Sequence, residues 1–385
     1  MNLRAVAIAA TLVAGILFRF WLATLGYNYD VESYWIVGHV ADYNVNVYEV
    51  TARYNYGPVW FLLLTAFARA TSAMGIQAFH LVIAIFLTAV DVGIALFLRK
   101  RFGWIVALLF FVNPVSAFIT GYHSQFDNLA VLIGLAGLEL YRSGIERSLD
   151  RRRFVGLLVI GVSLMTKHIL ILLPLWLALR PGPLKARLTA VGLPLGVFVA
   201  GFFPFLSAWE EIVDNVVLYQ SQRNAPLLGI FLPEAATQES VIPMIVFVTA
   251  MIAIGYAVRA QSLITSALIY LVALVAFAPA MANQYLAIPI AAAAVFPNIA
   301  FNAYTIAASA FLSFSIDGLN VRAPVALDRN GVFSLLALLL MIALGLILRR
   351  EATMQRSSDS RPMLEVREYA DRGCLGDAAR ESRVR

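Results

Sequence analysis

Long apolar runs, cut by short polar or basic clusters, repeat along nearly the whole chain. Runs of span-like length cover residues 3–25, 78–98, 103–120, 128–141, 153–179, 187–206, 241–258, 262–280, 284–300, 301–316 and 331–348. A helix needs roughly 20 mainly apolar residues to cross a bilayer. The pattern predicts an all-α fold, a polytopic transmembrane helix bundle of about 10–12 spans or half-spans. Residues 58–77 are apolar but carry Arg69, and read as a re-entrant or interfacial segment.

The polar interruptions set an orientation. Arg99, Lys100 and Arg101, then Arg151–Arg153, Lys185 with Arg187, and Arg349–Arg350 form short basic clusters between apolar runs. Positive clusters stay on the cytoplasmic side. That rule predicts a multi-pass plasma-membrane protein with both termini cytoplasmic. It places 26–57 and 207–240 as the two sizeable outer loops. It also requires 153–179 to turn back near Met165–His168. Backbone that breaks at membrane depth is tolerated only against protein or a water-filled cavity. The first run holds Arg19 and is followed by no small-residue cleavage site, so it reads as a retained helix.

Composition changes this picture in three ways. With 61% hydrophobic and 14% charged residues, a large aqueous domain is excluded. The formal net charge of +6 is spread over the basic clusters, so nucleic acid is not an expected partner; membrane lipids are. The single cysteine, Cys374, cannot form an internal disulfide. Residues 1–350 thus read as one membrane domain. Residues 351–385 read as a polar cytoplasmic tail, disordered because its seven basic and seven acidic residues bury little apolar surface.

Several polar constellations fall on the outer face. Asp30 and Glu32 lie in "GYNYDVESYW" among aromatic residues. They read either as solvated loop acids or as a catalytic carboxylate whose burial raises its pKa. "RYNYGPVW" is extended ahead of Pro58. It is an aromatic interface belt or a cleft wall built from Arg53 and Tyr56. In "GYHSQFDN", His123, Gln125 and Asp127 alternate, so an extended stretch would face all three one way. The competing reading is a cap for the helix that follows. Lys167 and His168 interrupt an apolar stretch, either as a snorkelling lysine or as a phosphate partner. Arg223 is a loop charge or a phosphate clamp. Hard cations want more oxygens than Asp30 and Glu32 provide, and His123 with Asp127 are only two ligands. No metal site is therefore assigned. No cofactor is required, and a divalent cation remains compatible with the chemistry.

The order of these pieces resembles the GT-C superfamily of integral-membrane glycosyltransferases. "YDVESYW" stands where those proteins carry an acid followed by aromatics in the first outer loop. "VYEVTARYNYGPVWFLLL" is similar to the loop-ending segment of mannosyltransferases that use polyprenyl-phosphate mannose, including the GPI-anchor type. "NPVSAFITGYHSQFDN", "MTKHILILLP" and "PAMANQYLAIP" are similar to their Asn-Pro, Lys-containing and Asn-Gln-Tyr elements. The outer loop is short and no Asp-x-Asp is present, which departs from the pattern. The resemblance implies a catalytic first extracytoplasmic loop, with Asp30 as base and Glu32 as helper or acceptor contact. It implies that Lys167, Arg223 and Arg53 hold a lipid phosphate, with His168 beside them. Gln284 and Tyr285 would contact sugar or phosphate, and Tyr56, His123, Gln125 and Asp127 would line the donor pocket. The implied partners are a polyprenyl-phosphate-linked sugar donor and a lipid or glycan acceptor. The implied activity is inverting hexosyl transfer, with mannose favoured by the resemblance alone. A transporter or lipid/glycan flippase is the alternative, since it too would use an intramembrane lysine, broken helices and a polar cavity.

Overall fold

The structure, a computed structural model, describes residues 3–142, 150–219, 224–233, 240–323 and 328–354. Among these residues the regular structure is helical, with no strand. Three helices are long and apolar enough to cross a membrane: α1 (Leu3–Ala23), α4 (Ile76–Phe102) and α15 (Arg329–Met354). Two bent pairs would raise that to five. α5 (Trp104–Phe111) and α6 (Pro114–Gly121) meet at 51°, and α10 (Leu184–Ala200) meets the turns of 203–217 at 63°. The other apolar helices have 10–17 residues, which is less than a full crossing. Length and composition thus support three to five full spans among the described residues, fewer than the apolar runs alone predict.

The breaks have local causes. At 112–113 the chain leaves the helix, Asn113 caps α6 by accepting the Val115 N–H, and Pro114 takes the first helical position, where no N–H is needed. The expected single run 103–120 is therefore two helices. The run 284–300 is likewise divided, into a 3₁₀ turn at Asn283–Ala287 and α13 (Ile290–Val295), separated at Pro289. Within 153–179, α8 (Arg151–Thr166) stops at Lys167, whose backbone is extended (φ −154°, ψ 125°). A 3₁₀ turn (His168–Leu170) and α9 (Leu173–Ala178) follow.

Residues 26–57, expected from the sequence to be an outer loop, are largely helical. α2 (Tyr29–Val40) starts where the Asn28 side chain accepts the Val31 N–H at 3.1 Å. Asp30 and Glu32 occupy its first turn, where negative charge suits the helix dipole. Val31, Tyr34 and Val37 fall at every third position and are all buried. They belong to an apolar cluster that also holds Trp60, Phe61 and Leu64 of α3 (Pro58–Thr71).

Two close approaches of backbone fix the centre. α7 (Asp127–Arg142) and α8 cross at Gly137 and Gly156. A Cβ on Gly137 would meet the Gly156 carbonyl oxygen at 2.8 Å, and one on Gly156 would meet that of Gly137 at 2.7 Å. Small residues let helices approach this closely where lipid supplies no hydrophobic drive. At Gly57, a Cβ would lie 1.8 Å from the Met165 carbonyl oxygen, so the loop before α3 presses on the chain just before Lys167.

The remaining helices are α11 (Ile242–Ala257), α12 (Leu263–Ala276) and α14 (Ile299–Ser313). α12 is buried along most of its length. Its buried residues belong to the same main core as those of α13, α14 and α15.

A fully buried ion pair joins the N-terminal helices. Arg19 of α1 meets Asp91 of α4 at 3.1 Å with neither side chain exposed. Asp91 also accepts from Ser116 (3.2 Å) and Thr120 (2.8 Å) of α6, and from Asn128 of α7 (2.7 Å). Arg19 donates to the carbonyls of Phe111 (2.8 Å) and Gly15 (3.2 Å) and lies over the Phe111 ring.

Candidate functional site

The short non-helical stretch between α6 and α7 organises the site. Ser124 has a positive φ of 52°, and residues 124–126 run without helix before α7 begins at Asp127. Gln125 Nε2 donates to Asp30 Oδ2 at 2.8 Å. Tyr34 OH donates to Gln125 Oε1 at 3.2 Å, which fixes the amide so that its NH₂ faces the carboxylate. Asp127, two residues on, accepts from Lys167 Nζ at 2.7 Å with both side chains almost wholly buried. Gln125 and Asp127 thus serve two different carboxylate contacts of one cluster.

Aromatic rings wall this cluster. Trp60 and Phe126 stack at 4.1 Å, and Tyr56 meets Phe126 edge-on at 4.8 Å. The Lys167 ammonium lies over Phe126 (4.7 Å) and Tyr56 (5.1 Å), a placement that favours the cation. Among the described residues no other side chain bonds Asp127 Oδ1.

Asp30 sits in α2 at the edge of this wall and is partly buried. Burial raises its pKa. Lys167 pulls it back down, Asp127 pushes it up, and the Gln125 hydrogen bond pulls it down. Glu32 is different. It is 49% exposed and faces Arg53 at 3.7 Å, and the Arg53 guanidinium covers the Tyr29 ring at 4.8 Å. The two acids of the sequence motif therefore occupy separate environments.

His123 does not share a ligand with Asp127. Its Nδ1 accepts from the Asn28 side-chain amide at 3.1 Å, and its Nε2 faces Ser315 Oγ at 3.3 Å. An imidazole accepting at Nδ1 carries its proton at Nε2 and is neutral. Burial, with His80 and Arg329 adding to it, holds the His123 pKa down at about 4. Among the described residues no group of three or more His, Cys, Asp or Glu side chains is placed to hold a metal.

Beside the cluster lies a cavity of about 460 Å³, lined mainly by apolar residues such as Ile171, Met244, Phe247 and Ile288. His168 and Tyr285 are among its polar lining groups. Tyr285 lies within electrostatic reach of Asp127, and Tyr56 within reach of Asp30, Asp127 and Tyr285. Tyr285 thus lines the cavity and feels the charge of Asp127. Gln284, half-buried, precedes it in the same 3₁₀ turn.

The sequence-predicted residues fall into groups. Asp30, Tyr56, Gln125, Asp127 and Lys167 come together. His168 and Tyr285 face the adjoining cavity, and Glu32 with Arg53 form an exposed rim. His123 braces the start of α2 through Asn28. Arg223 lies outside the described residues. Tyr34, Asn28, Ser315 and Asp91 were not singled out by sequence. Asp91 carried a signal nonetheless: it and Arg19 are opposite charges deep inside two long apolar runs, and such charges pair.

No family model, no curated protein and no solved structure matches the chain. The chemistry of the site rests on its own residues.

Proposed function

We propose that the protein is a membrane glycosyltransferase that moves a hexose from a polyprenyl-phosphate sugar to a lipid or glycan acceptor. The reaction runs on the extracytoplasmic face of the cell membrane, in the first outer loop of a bundle with cytoplasmic termini. Mannose is the sugar favoured by the resemblance.

One observation carries this reading. A partly buried carboxylate, Asp30, is held by Gln125, and Tyr285, which feels the charge of Asp127 in the same cluster, lines a mainly apolar cavity. A lipid-linked polar substrate needs such a junction: apolar space for the chain and oriented polar groups for the head. Asp30 takes the proton of the acceptor hydroxyl. The freed oxygen bonds to the anomeric carbon from the face opposite the leaving group. The bond from that carbon to the phosphate oxygen breaks, and polyprenyl phosphate leaves with the electron pair. One displacement inverts the anomeric centre. A raised pKa suits Asp30 to the task, because a base must hold the proton that it takes.

The test is transfer of radiolabel from polyprenyl-phosphate mannose, then from the glucose analogue, in membranes holding wild type or Asp30→Asn. The expected loss is about 10²–10⁴-fold at equal protein level, the usual contribution of a general base. Wild-type rates in Asp30→Asn overturn the base assignment. A wild type that moves lipid-linked sugar across vesicle membranes without transferring it points to the flippase alternative, which the cavity and the helix break at Lys167 also fit.

A further inference from the structure

We infer that the recess between Arg180 and Arg259 is a binding site for the phosphate of an anionic phospholipid. It is separate from the Asp30 cluster, and the inference does not depend on the transferase reading. Its wall includes Leu138, near the end of α7 away from Asp127.

Three observations carry it. First, the recess gathers cations without an acid. Arg180, just after α9, and Arg259, just after α11, line it together with Trp176, Ser266 and leucines of α7, α9 and α12. No lining residue is acidic. Among the described residues, Arg19, Arg53, Arg69, Arg101 and Arg142 each face a carboxylate, whereas Arg180 and Arg259 do not.

Second, both arginines are oriented with donors to spare. Arg180 Nη2 donates to the Gln261 carbonyl at 2.7 Å and Nη1 to Ser266 Oγ at 3.5 Å. Arg259 Nη1 donates to the Tyr256 carbonyl at 2.7 Å, and its guanidinium lies over the Tyr256 ring at 3.6 Å. A guanidinium has five N–H donors, and its planar fork matches phosphate.

Third, Trp176 is 4% exposed, and its buried Nε1 bonds no described group. The ring lies flat against Gly255, where a Cβ would meet Nε1 at 2.7 Å and both Cδ1 and Cε2 at 2.8 Å. The N–H lies in the ring plane, so it is not turned into the α11 backbone. A buried indole N–H usually finds an acceptor, and a phosphate oxygen supplies one.

The size fits a headgroup held at the surface. The recess has about 10 Å³, room for about one oxygen, so the rest of the phosphate stays with the arginines. The leucines offer apolar contact to an acyl chain. Arg187 of α10 donates to the Ala178 carbonyl at 2.6 Å, which brings a further cation to the same end of the bundle. Basic pockets between helices suit acidic headgroups where the leaflet is anionic.

The test is native mass spectrometry of the full chain in detergent, titrated with phosphatidylglycerol and with phosphatidylcholine of the same acyl chains. Wild type should bind phosphatidylglycerol at least about tenfold more tightly. Arg180→Gln with Arg259→Gln should abolish that preference. Trp176→Phe keeps a ring and removes the N–H, and should weaken phosphatidylglycerol binding about two- to tenfold, as loss of one hydrogen bond does. Arg349→Gln with Arg350→Gln removes the same charge from another basic cluster and should leave the preference intact. If the Arg180 and Arg259 double variant fails to fold, Arg259→Gln alone should lower the preference. Equal losses in the two double variants would mean general surface charge and overturn the inference, as would a wild type without preference. Displacement of phosphatidylglycerol by millimolar inorganic phosphate would overturn the lipid assignment in favour of a free anion.

Discussion

Among the described residues two ion pairs are fully or almost fully buried, and they are built differently. Arg19–Asp91 is sealed. The acid takes hydrogen bonds from Ser116, Thr120 and Asn128, the guanidinium reaches two backbone carbonyls, and neither side chain is exposed. Lys167–Asp127 has fewer partners. The lysine sits on an extended residue where a helix breaks, and among the described residues its ammonium is the one side-chain donor to the acid. A buried pair recovers its desolvation cost only when its remaining donors and acceptors are satisfied. The first pair meets that condition and ties α1, α4, α6 and α7 together. The second has one bond between its partners, and Lys167 directly precedes His168, which lines the apolar cavity. The number of partners, more than burial, sets the two pairs apart.

The sharpest way to break this comparison is to remove one partner of the sealed pair. Asp91→Leu leaves Arg19 buried and uncompensated, with an expected loss of about 3–5 kcal/mol. Thermal unfolding in detergent measures it. An unchanged midpoint would mean that the pair is not the joint described here. Removing both partners sharpens the contrast further. Lys167→Met with Asp127→Leu should cost less than about 1 kcal/mol, because apolar side chains replace a pair whose acid holds one side-chain hydrogen bond among the described residues. Arg19→Leu with Asp91→Leu should stay clearly destabilised, since Ser116, Thr120 and Asn128 lose their common acceptor. Equal losses in the two doubles would erase the distinction.

The smallest expected effects are in pH. His123 is neutral in the fold with a pKa of about 4, against 6.5 when solvated. Below 6.5 the unfolded chain takes up a proton that the folded site excludes, so this residue's contribution to stability is present above pH 6.5 and is lost as pH falls toward 4. His123→Gln should flatten the wild-type slope across that window in unfolding scans. A slope that persists unchanged would assign the acid sensitivity to other groups. Asp30 works in the opposite sense. Its raised pKa favours the fold at acid pH and costs stability once it ionises.

Much of this was legible in the sequence where the signal is local. The run read as 78–98 is the core of α4, and the turn expected near Met165–His168 is the break at Lys167. The convergence of "YDVESYW", "SQFD" and "TKH" could be anticipated from charge topology alone. What stayed hidden depends on distant partners. Nothing near Lys167 announces Asp127, 40 residues earlier, and nothing near Tyr34 announces Gln125, 91 residues on. α2 was hidden because its acids and aromatics look like a loop. Its start is set by the Asn28 cap, and its buried face by packing against α3. Pro114 marked a possible interruption in the sequence, but the division at Pro289 was hidden because apolar composition does not distinguish one long helix from two short ones.

The bond between His123 and Ser315 spans 192 positions of chain. Its histidine steadies Asn28, which starts the helix that bears Asp30. A ribosome delivers α2 early and Ser315 late. During synthesis the carboxylate helix therefore exists long before its last brace arrives, and a chain released before α14 would carry every residue of the Asp30–Gln125–Lys167 cluster without that support. The order of translation makes completion of the site one of the final events in the maturation of this protein.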